Sequence, residues 1–542
     1  MLLKDRHVNT SLLMVLVAGV LLAALARHYK VSAPLVLVVA GLAIGLIPGV
    51  PTIELQPNLV LFVILPPLVW SAGLQSSSIA LRRNVRSIGL LAVGLPVATT
   101  LAVALVAHHV VPALTPAAAL TLGAIVAPSD AVSATAVGRR LGLPRPIMTL
   151  LGGESMLNDA TALTLYKVSL AAAIGTAVSW PQGLATFVLA AAGGVVVGAL
   201  FGAIIDFIRS RLLDDPVVES AIGLVAPFIV YLVADQAHGS GVLAVVVAAL
   251  FLGQRSVHAG YATRLQDDAV WKTLVFILES FAFLLIGLQL PGVVRAMRGL
   301  PASGFILSSV AVFVTVLVVR IAWIYVFTYV PRALFAGKSK GAPAPAPAPA
   351  QVFVVAWAGV RGVVSLAAAF AVPMTTLAGA PFPGRAHILF LTFVVVIGTL
   401  LLHGLTLPWL IRVFGVQGHD AQRDAVALAG AQDRAARSAA ETLDELLAEQ
   451  RQQGPVDTHE QAAKILAHWN ERRRNAAWER LGRSDAEIGE SPASAFRRLR
   501  LEMLAAERKT FIDERDAGRI DDEVLRTALR GLDLEEATLR RD

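Results

Sequence analysis

The sequence predicts an all-α polytopic membrane protein with a helical cytoplasmic tail, and three observations carry that prediction. Hydrophobic residues make up 56% of the 542-residue chain, and its mean hydropathy is +0.67. Apolar stretches of roughly eighteen residues or more, long enough to cross a bilayer as a helix, recur from the N-terminus to about Phe414. Beyond that point the chain becomes strongly charged. Helices are expected in the apolar part because each span must satisfy its own backbone hydrogen bonds in lipid.

The apolar stretches divide into about thirteen predicted membrane helices. The N-terminal stretch, which ends at Arg27, lacks a convincing signal-peptidase cleavage site and is therefore counted as the first helix. The predicted helices cover residues 11–27, 33–48, 58–75, 86–111, 116–138, 147–174, 183–209, 217–236, 240–254, 270–291, 302–330, 351–378 and 385–413.

Basic residues in the connections between these helices predict how the chain is oriented. Connections after odd-numbered helices contain fifteen Lys and Arg residues, whereas those after even-numbered helices contain three, at Arg295, Arg298 and Arg385. Because cytoplasmic loops are enriched in Lys and Arg, this bias places the N-terminus outside and the C-terminus in the cytoplasm. We therefore expect a multi-pass protein of the cell (inner) membrane.

The composition changes at His419, which divides the chain into a membrane domain, 1–418, and a charged C-terminal domain, 419–542. The second part contains 21 Lys and Arg against 26 Asp and Glu, a net charge of −5, so the first part carries +12. The overall charge of +7 thus reflects membrane orientation, and no nucleic-acid partner is expected. The tail is expected to be helical and cytoplasmic, and either regulates the membrane domain or serves as a solvated appendage that supports a dimer.

The sixth predicted helix carries polar residues in the middle of its apolar run. Asp159 lies near mid-membrane, where a carboxylate costs about 2.5–3.5 kcal/mol and is a functional candidate by default. Glu154 and Asn158, and likewise Ser155 and Asp159, are four residues apart and so share one helix face. Carboxylate, amide and hydroxyl oxygens are the ligands that hard cations prefer. The alternative is a buried polar cluster that only joins helices.

Two other predicted helices are interrupted by polar residues. Helix 5 contains Pro128 and Asp130 halfway across the membrane, and helix 12 contains Arg361 between Gly359 and Gly362. Interrupted helices in corresponding positions of two halves point to a transporter binding site. The offset of seven helices is odd, so the two halves are predicted to be inverted repeats with discontinuous crossing helices. Asp130 and Arg361 carry charges that compensate the exposed half-helix ends.

Four motifs in this order resemble those of bacterial sodium/proton exchangers of the monovalent cation:proton antiporter family. They are LPPL at 65–68, APSDAV at 127–132, GESMLND at 153–159 and WAGVRG at 357–362. The Asn-Asp pair at 158–159 resembles the electroneutral branch of the family. The resemblance extends from about Leu12 to about Gly415 and leaves out the tail.

The resemblance implies a role for each residue that matches a family motif. Asp159 is implied as the ligand that binds Na⁺ or a proton, with oxygens of Ser155 and Ser129 beside it. The implied supporting residues are Asn158, Glu154, Asp130 and a membrane arginine, which is Arg320 or Arg361. Some relatives carry an acidic residue soon after LPPL, where this chain has Ser71. Asp159 is therefore expected to be the sole titrating ligand.

These residues predict a secondary antiporter that exchanges Na⁺, and Li⁺, for H⁺ in a 1:1 ratio for pH and sodium homeostasis. Because a bare carboxylate is too costly to carry across the membrane, either a proton or a dehydrated cation must neutralise Asp159. A homodimer without cofactors is expected. The alternatives are a K⁺/H⁺ or mixed-cation antiporter and, more remotely, a non-transporting membrane sensor. The absence of cysteine and of any nucleophile–base set argues against an enzyme.

The interaction partners of two charged residues near Asp159, Glu154 and Lys167, remain to be assigned. Glu154 must stay protonated or pair with a cation, and Arg320 and Arg361 are the arginines at membrane depth. We favour Arg320, because half-helix ends already occupy Arg361. Lys167, eight residues beyond Asp159, either acts on the site or extends to the membrane interface.

Overall fold

The computed structural model describes residues 2–29, 31–47, 60–130, 135, 138, 141–175, 180–211, 215–256, 259–296, 302–335, 347–416, 420–453, 457–479, 492–520 and 522–540. The chain divides into two compact units, Met1–Gly418 and His419–Asp542. The division falls where the sequence becomes charged. Within the described residues, β structure is limited to an isolated bridge between Thr375 and Pro381.

The first unit begins with helices that lead up to the first interruption. They are α1 (Leu2–His28), α2 (Ala33–Gly45), α3 (Leu65–Gln75), α4 (Ser78–Arg83), α5 (Val85–Gly89), α6 (Leu95–Val110) and α7 (Pro116–Val126). A π-helical turn, Val60–Ile64, leads into α3, and a second, Leu90–Gly94, joins α5 to α6.

The remaining helices of the first unit include the long helix that carries Asp159. They are α8 (Arg145–Ala173), α9 (Trp180–Arg211), α10 (Pro216–Gln236), α11 (Gly241–Arg255), α12 (Tyr261–Ala296), α13 (Ala302–Phe335), α14 (Pro349–Trp357), α15 (Val363–Phe370) and α16 (Arg385–Val413). Among the described residues, six helices are long and apolar enough to cross a membrane, and five more are shorter apolar helices. The count of thirteen stays a prediction.

Local sequence signals account for the ends of several helices. Thr115 and Ser240 begin α7 and α11 by accepting hydrogen bonds from Ala118 N (3.3 Å) and Leu243 N (3.4 Å). Asp215 accepts from Val217 N (2.8 Å) at the start of α10. These side chains satisfy backbone donors that have no partner inside the helix.

One predicted helix is interrupted and another ends earlier than expected. Helix 5 was predicted over 116–138; α7 ends at Val126, residues 127–130 are not helical, and Thr135 and Gly138, the residues of 131–140 that the structure describes, are helical. Helix 12 was predicted over 351–378, but its second half ends at Phe370. The cause is Pro373, which cannot continue a helix, in a segment that stays apolar and so resembles a span.

The hydrophobic core of the first unit surrounds the interrupted helices. One buried cluster joins α6 and α7 to α12, α15 and α16. A second packs Trp70 of α3 and Met156 of α8 against α10 and α11. A third joins α14 to α13, the first half of α8 and the end of α16. Helix α8 contributes to all three clusters, so its polar face lies at the centre of the unit.

The second unit consists of four helices in the described residues. They are α17 (Asp420–Gln453), α18 (Asp457–Glu479), α19 (Pro492–Asp516) and α20 (Asp522–Arg540). Helices α17 and α18 pack as one pair and α19 and α20 as another. Few large side chains are buried, among them Leu504, Leu525 and Leu532. Arginine–carboxylate pairs supplement this small core.

Candidate functional site

The two interrupted segments of the first unit touch each other. Helix α7 gives way to residues 127–130, and residues 358–362 separate α14 from α15. The backbone N–H of Asp130 donates to the carbonyl oxygen of Val360 at 2.7 Å. Both interruptions are therefore present in the described residues, and they meet at the crossing point that the sequence analysis expected.

Two glycines permit the close approach at this crossing point. A Cβ atom at Gly359 would lie 2.4 Å from Cδ of Arg320, and one at Gly362 would lie 2.4 Å from Oδ2 of Asp130. Real Cβ contacts are not that short, so a larger residue would push the charged side chains away. The glycines on either side of Arg361 thus admit Arg320 and Asp130.

Glu154 of α8 pairs with Arg320 of α13. Nη1 of Arg320 contacts Oε1 of Glu154, and Nη2 donates to Oε2 at 3.0 Å, so the pair is bidentate. The side chains are only 2% and 1% exposed. The partner is thus the arginine that the sequence analysis favoured. Burying a charge without such a partner costs on the order of several kcal/mol in lost solvation.

Arg320 also binds the end of a half-helix, which the sequence analysis did not foresee. Its Nε donates to the carbonyl oxygen of Ala356 at 3.0 Å, and Nη2 donates to that of Val355 at 3.2 Å. These carbonyls belong to the last turn of α14, where helices carry partial negative charge. The arginine therefore links α8, α13 and the first half of the interrupted helix.

Arg361 performs the corresponding function for α7. Its Nε donates to the carbonyl oxygen of Val126, the last residue of α7, at 3.1 Å, and its Nη1 donates to that of Gly359. Its backbone N–H donates to Oγ1 of Thr399 in α16 at 3.1 Å. Nothing in the sequence singled out Thr399, because its partner lies 38 residues away. Each arginine thus binds the C-terminal end of one half-helix.

Ser129 and Asn158 complete the support around Glu154. The Ser129 hydroxyl donates to Oε1 of Glu154 at 2.5 Å and accepts from Nδ2 of Asn158 at 2.9 Å and Nη1 of Arg320 at 3.4 Å. Its proton and both lone pairs are therefore used. Ser129 was predicted among the ion ligands, but its hydroxyl is part of the hydrogen-bond network that supports Glu154.

The amide of Asn158 has a defined orientation. Its Nδ2 donates to the backbone carbonyl oxygen of Ser129 at 3.0 Å, and that oxygen can only accept. The other amide atom, Oδ1, is buried and has no hydrogen-bond donor among the described residues. Asn158 therefore ties α8 to the interrupted segment and leaves an oxygen for another partner.

Asp159 lies on α8 beside this network. Its side chain is 9% exposed, and Ser155, one turn earlier, is half-buried. Asp130 is close enough to Asp159 to interact electrostatically, and its carboxylate also lies against Gly362, at the start of α15. The N-terminal end of a helix carries partial positive charge, which stabilises a carboxylate there.

Two further residues from the sequence analysis lie outside the network just described. The Ser71 hydroxyl is buried in α3 and accepts from Nε2 of Gln75 at 3.4 Å. Lys167 extends from α8 to Asp235 of α10, and its Nζ lies 2.7 Å from Oδ1. Asp235 is therefore paired and half-exposed.

Two broken helices that cross inside an apolar bundle, with buried charges at their ends, define the class of membrane secondary transporters. The particular family follows from the sequence comparison. Residues 12–413 match the family model described as the transmembrane sodium/hydrogen exchanger, and the chain belongs to this family.

Relatives and a solved structure agree with this assignment. The chain is 33% identical over 539 residues to an uncharacterized Na⁺/H⁺ exchanger of Mycobacterium tuberculosis, covering 97% of this chain and 95% of the relative. It is 30% identical over 392 residues to the Na⁺/H⁺ antiporter ApNhaP of Aphanothece halophytica, covering 72% and 71%. The sodium proton antiporter MjNhaP1 of Methanocaldococcus jannaschii matches with a TM-score of 0.56 at 19% identity, covering 75% and 98%, and thus shares the fold.

Proposed function

We propose that the protein exchanges Na⁺ or Li⁺ for H⁺, one for one, through the carboxylate of Asp159. The observation that carries the proposal is that, in the part of the chain that the structure describes, one of two buried carboxylates on α8 has a basic partner and the other does not. Glu154 is neutralised by a bidentate arginine. For Asp159, no ion pair with a basic side chain is found among the described residues. Asp159 therefore needs a mobile positive charge, which a proton or a metal cation supplies.

The groups around Asp159 suit a small dehydrated cation. Ser155 offers a hydroxyl one turn away on the same helix face. Oδ1 of Asn158 is a buried acceptor without a donor among the described residues, so it is open to a cation. We assign Ser129, Glu154, Arg320, Asp130 and Arg361 to support, since they fix the two interrupted helices on either side of the ion.

Competition for one carboxylate gives the mechanism. A proton and a cation displace each other from Asp159, and alternating access presents the neutral, loaded site to one side of the membrane and then to the other. Since one charge replaces another, each cycle moves no net charge. In a cell with an inward proton gradient, the exchange expels sodium and serves pH and sodium homeostasis.

The setting of this exchange is also part of the proposal. We assign the protein to the cell (inner) membrane as a homodimer, with thirteen spanning helices in inverted repeats, the N-terminus outside and the C-terminal domain in the cytoplasm. The distribution of Lys and Arg between the two sets of connections supports this orientation.

A broader cation range is the second candidate function. A Bacillus subtilis relative, 30% identical over 400 residues and covering 70% of this chain and 57% of its own length, is named a sodium, potassium, lithium and rubidium/H⁺ antiporter. Ser71 also stands where some family members carry a carboxylate, and a hydroxyl attracts a cation less strongly. Both observations favour weak discrimination among Na⁺, Li⁺ and K⁺.

Cation-induced proton flux in proteoliposomes tests the proposal. We expect Na⁺ and Li⁺ to dissipate a preformed pH gradient across vesicles that contain the wild-type protein, as reported by a pH-sensitive dye. Asp159→Asn should abolish the flux while the protein still folds, because the amide binds neither a proton nor a cation in this way. Rates should stay the same when the membrane potential is clamped at different values. Flux at the wild-type rate in Asp159→Asn would refute the assignment, and equal K⁺-driven flux would favour the broader range.

A further inference from the structure

Lys167 and Asp235 form an ion pair between two helices at the end of α8 that follows the candidate site. Nζ of Lys167 lies 2.7 Å from Oδ1 of Asp235, and the side chains are 63% and 46% exposed. Lys167 lies eight residues beyond Asp159, and Asp235 lies next to Gln236, the last residue of α10. The proposed topology places this end of both helices on the outer side of the membrane.

The two helices have different main neighbours. Helix α8 packs mainly against α7 and the π-helical turn Leu90–Gly94, with smaller contacts to α9, α11 and α3. Helix α10 packs against α9, α11, α12 and α3. The ion pair therefore connects the helix that carries Asp159 to a helix whose main contacts lie elsewhere.

We propose that Lys167 and Asp235 are positioning residues that act as a latch, closing access to Asp159 from their end of the membrane and opening once in each exchange cycle. The inference rests on the proposed exchange by alternating access. Transporters of this kind move one group of helices against another around the site. A bond between two such groups favours the state in which it forms, and its loss shifts the population toward the other state.

The solvent exposure of the latch predicts which property changes when the ion pair is removed. Ion pairs as exposed as this one contribute little to folding stability. The same small contribution is enough to change the ratio of two access states by about two- to fivefold. Loss of the latch should therefore change the sidedness of cation binding without a loss of folded protein.

The chain contains a matched control pair. Lys272 and Asp268 lie 2.6 Å apart, between Nζ and Oδ2, with side chains 67% and 57% exposed. The residue types, distance and exposure resemble those of the latch. Both control residues belong to α12, four positions apart, so this pair spans no boundary between helices.

The test compares Na⁺ dependence from each side in right-side-out and everted membrane vesicles. The variants are Lys167→Gln, Asp235→Asn, the exchanged pair Lys167→Asp with Asp235→Lys, and the controls Lys272→Gln and Asp268→Asn. We expect each single latch variant to lower the half-saturating Na⁺ concentration at the latch side about two- to fivefold, with Tm unchanged. The exchanged pair should restore wild-type values, and the controls should match wild type.

An equal effect of Asp235→Asn and Asp268→Asn would overturn the latch, because both changes would then act only through surface charge. An exchanged pair as altered as the single variants would also overturn it. A failure of the proposed function is distinguishable, since wild-type vesicles would then show no Na⁺-driven proton flux. Wild-type flux together with latch variants that match the controls would reject the latch alone.

Discussion

Each unit of this chain contains a bidentate Arg–Glu ion pair, which is buried in the first unit and partly exposed to water in the second. In the membrane unit Arg320 holds both oxygens of Glu154, with side chains 1% and 2% exposed. In the tail Arg500 holds both oxygens of Glu535, at 2.6 and 2.7 Å, with side chains 22% and 42% exposed. Arg320 uses Nη1 and Nη2, whereas Arg500 uses Nε and Nη2, but both pairs are bidentate, and they differ most in access to water.

The comparison shows that burial decides what an ion pair does. Water solvates each tail partner when the other is removed, so exposed pairs contribute little. A buried partner left alone is not solvated, and its isolation is strongly destabilising. Arg320 therefore needs Glu154 to remain beside the carbonyls of α14, whereas the tail pair adds to a small core that has other arginine–carboxylate contacts.

The largest predicted effect is the loss of the buried pair. Glu154→Gln should destabilise the folded protein by about 3–5 kcal/mol, because it strands Arg320 inside the bundle. The matched tail change, Glu535→Gln, should have little effect, because water replaces the lost contact. Thermal unfolding of the detergent-purified protein, followed through loss of the monodisperse species, measures both.

The coupling between the partners provides the control for this prediction. Adding Arg320→Gln to Glu154→Gln should recover part of the lost stability, since no charge is then left unpaired. Arg500→Gln added to Glu535→Gln should show almost no coupling. Strictly additive damage within the membrane pair would mean that the two residues stabilise the fold independently.

A smaller effect, of opposite sign in the two units, is predicted for glycine replacement. Gly359→Ala should destabilise the membrane unit by about 1–3 kcal/mol, because the added Cβ would lie 2.4 Å from Cδ of Arg320. Gly531→Ala, inside α20 with nothing within 4 Å of the new Cβ, should stabilise the tail by about 0.5–1 kcal/mol. The unfolding midpoints of the two variants measure the difference. A neutral Gly359→Ala would contradict the close packing at the crossing point.

The smallest predicted effect is the pH dependence of the tail. Hydrogen bonds from Arg500 hold the pKa of Glu535 below its usual 4.5. A carboxyl whose pKa is lowered on folding stabilises the folded state above 4.5, and this contribution is lost as the pH falls through the lowered value. Amide exchange of α19 and α20 in the full-length protein, corrected for intrinsic rates, should accelerate as the pH falls below about 4.5. In Arg500→Gln the acceleration should be weaker.

Predictability from sequence also differs between regions. The last membrane helix was predicted over 385–413, and α16 spans Arg385–Val413. Arg385 and Gly415 bound an uninterrupted apolar run there, so composition alone locates its ends. The interruption at 359–362 was equally visible, because charge and glycine inside a span are rare. The segment 371–378 was mistaken for helix, since hydropathy does not distinguish an apolar loop from the end of a span.

The residues of the site could be predicted from the sequence, but most of the contacts between them could not. Polar residues inside apolar helices identified Glu154, Asn158 and Asp159, because placing them there is costly. The pairing of Glu154 with Arg320 was inferred by elimination. The carbonyl contacts of Arg320 and the contact of Arg361 with Thr399 depend on how separate helices cross. Such long-range geometry leaves no local pattern in the sequence.

The most direct test of the central claim is whether cation binding releases a proton from Asp159. Calorimetric titration of the purified protein with Na⁺, in two buffers of different ionisation enthalpy, gives the number of protons released per cation. We predict that this number approaches one as the pH is lowered, since each cation then displaces a proton from a single carboxylate, and that Asp159→Asn shows neither binding nor release. Na⁺ binding without proton release at every pH, or unchanged release in Asp159→Asn, would contradict the account.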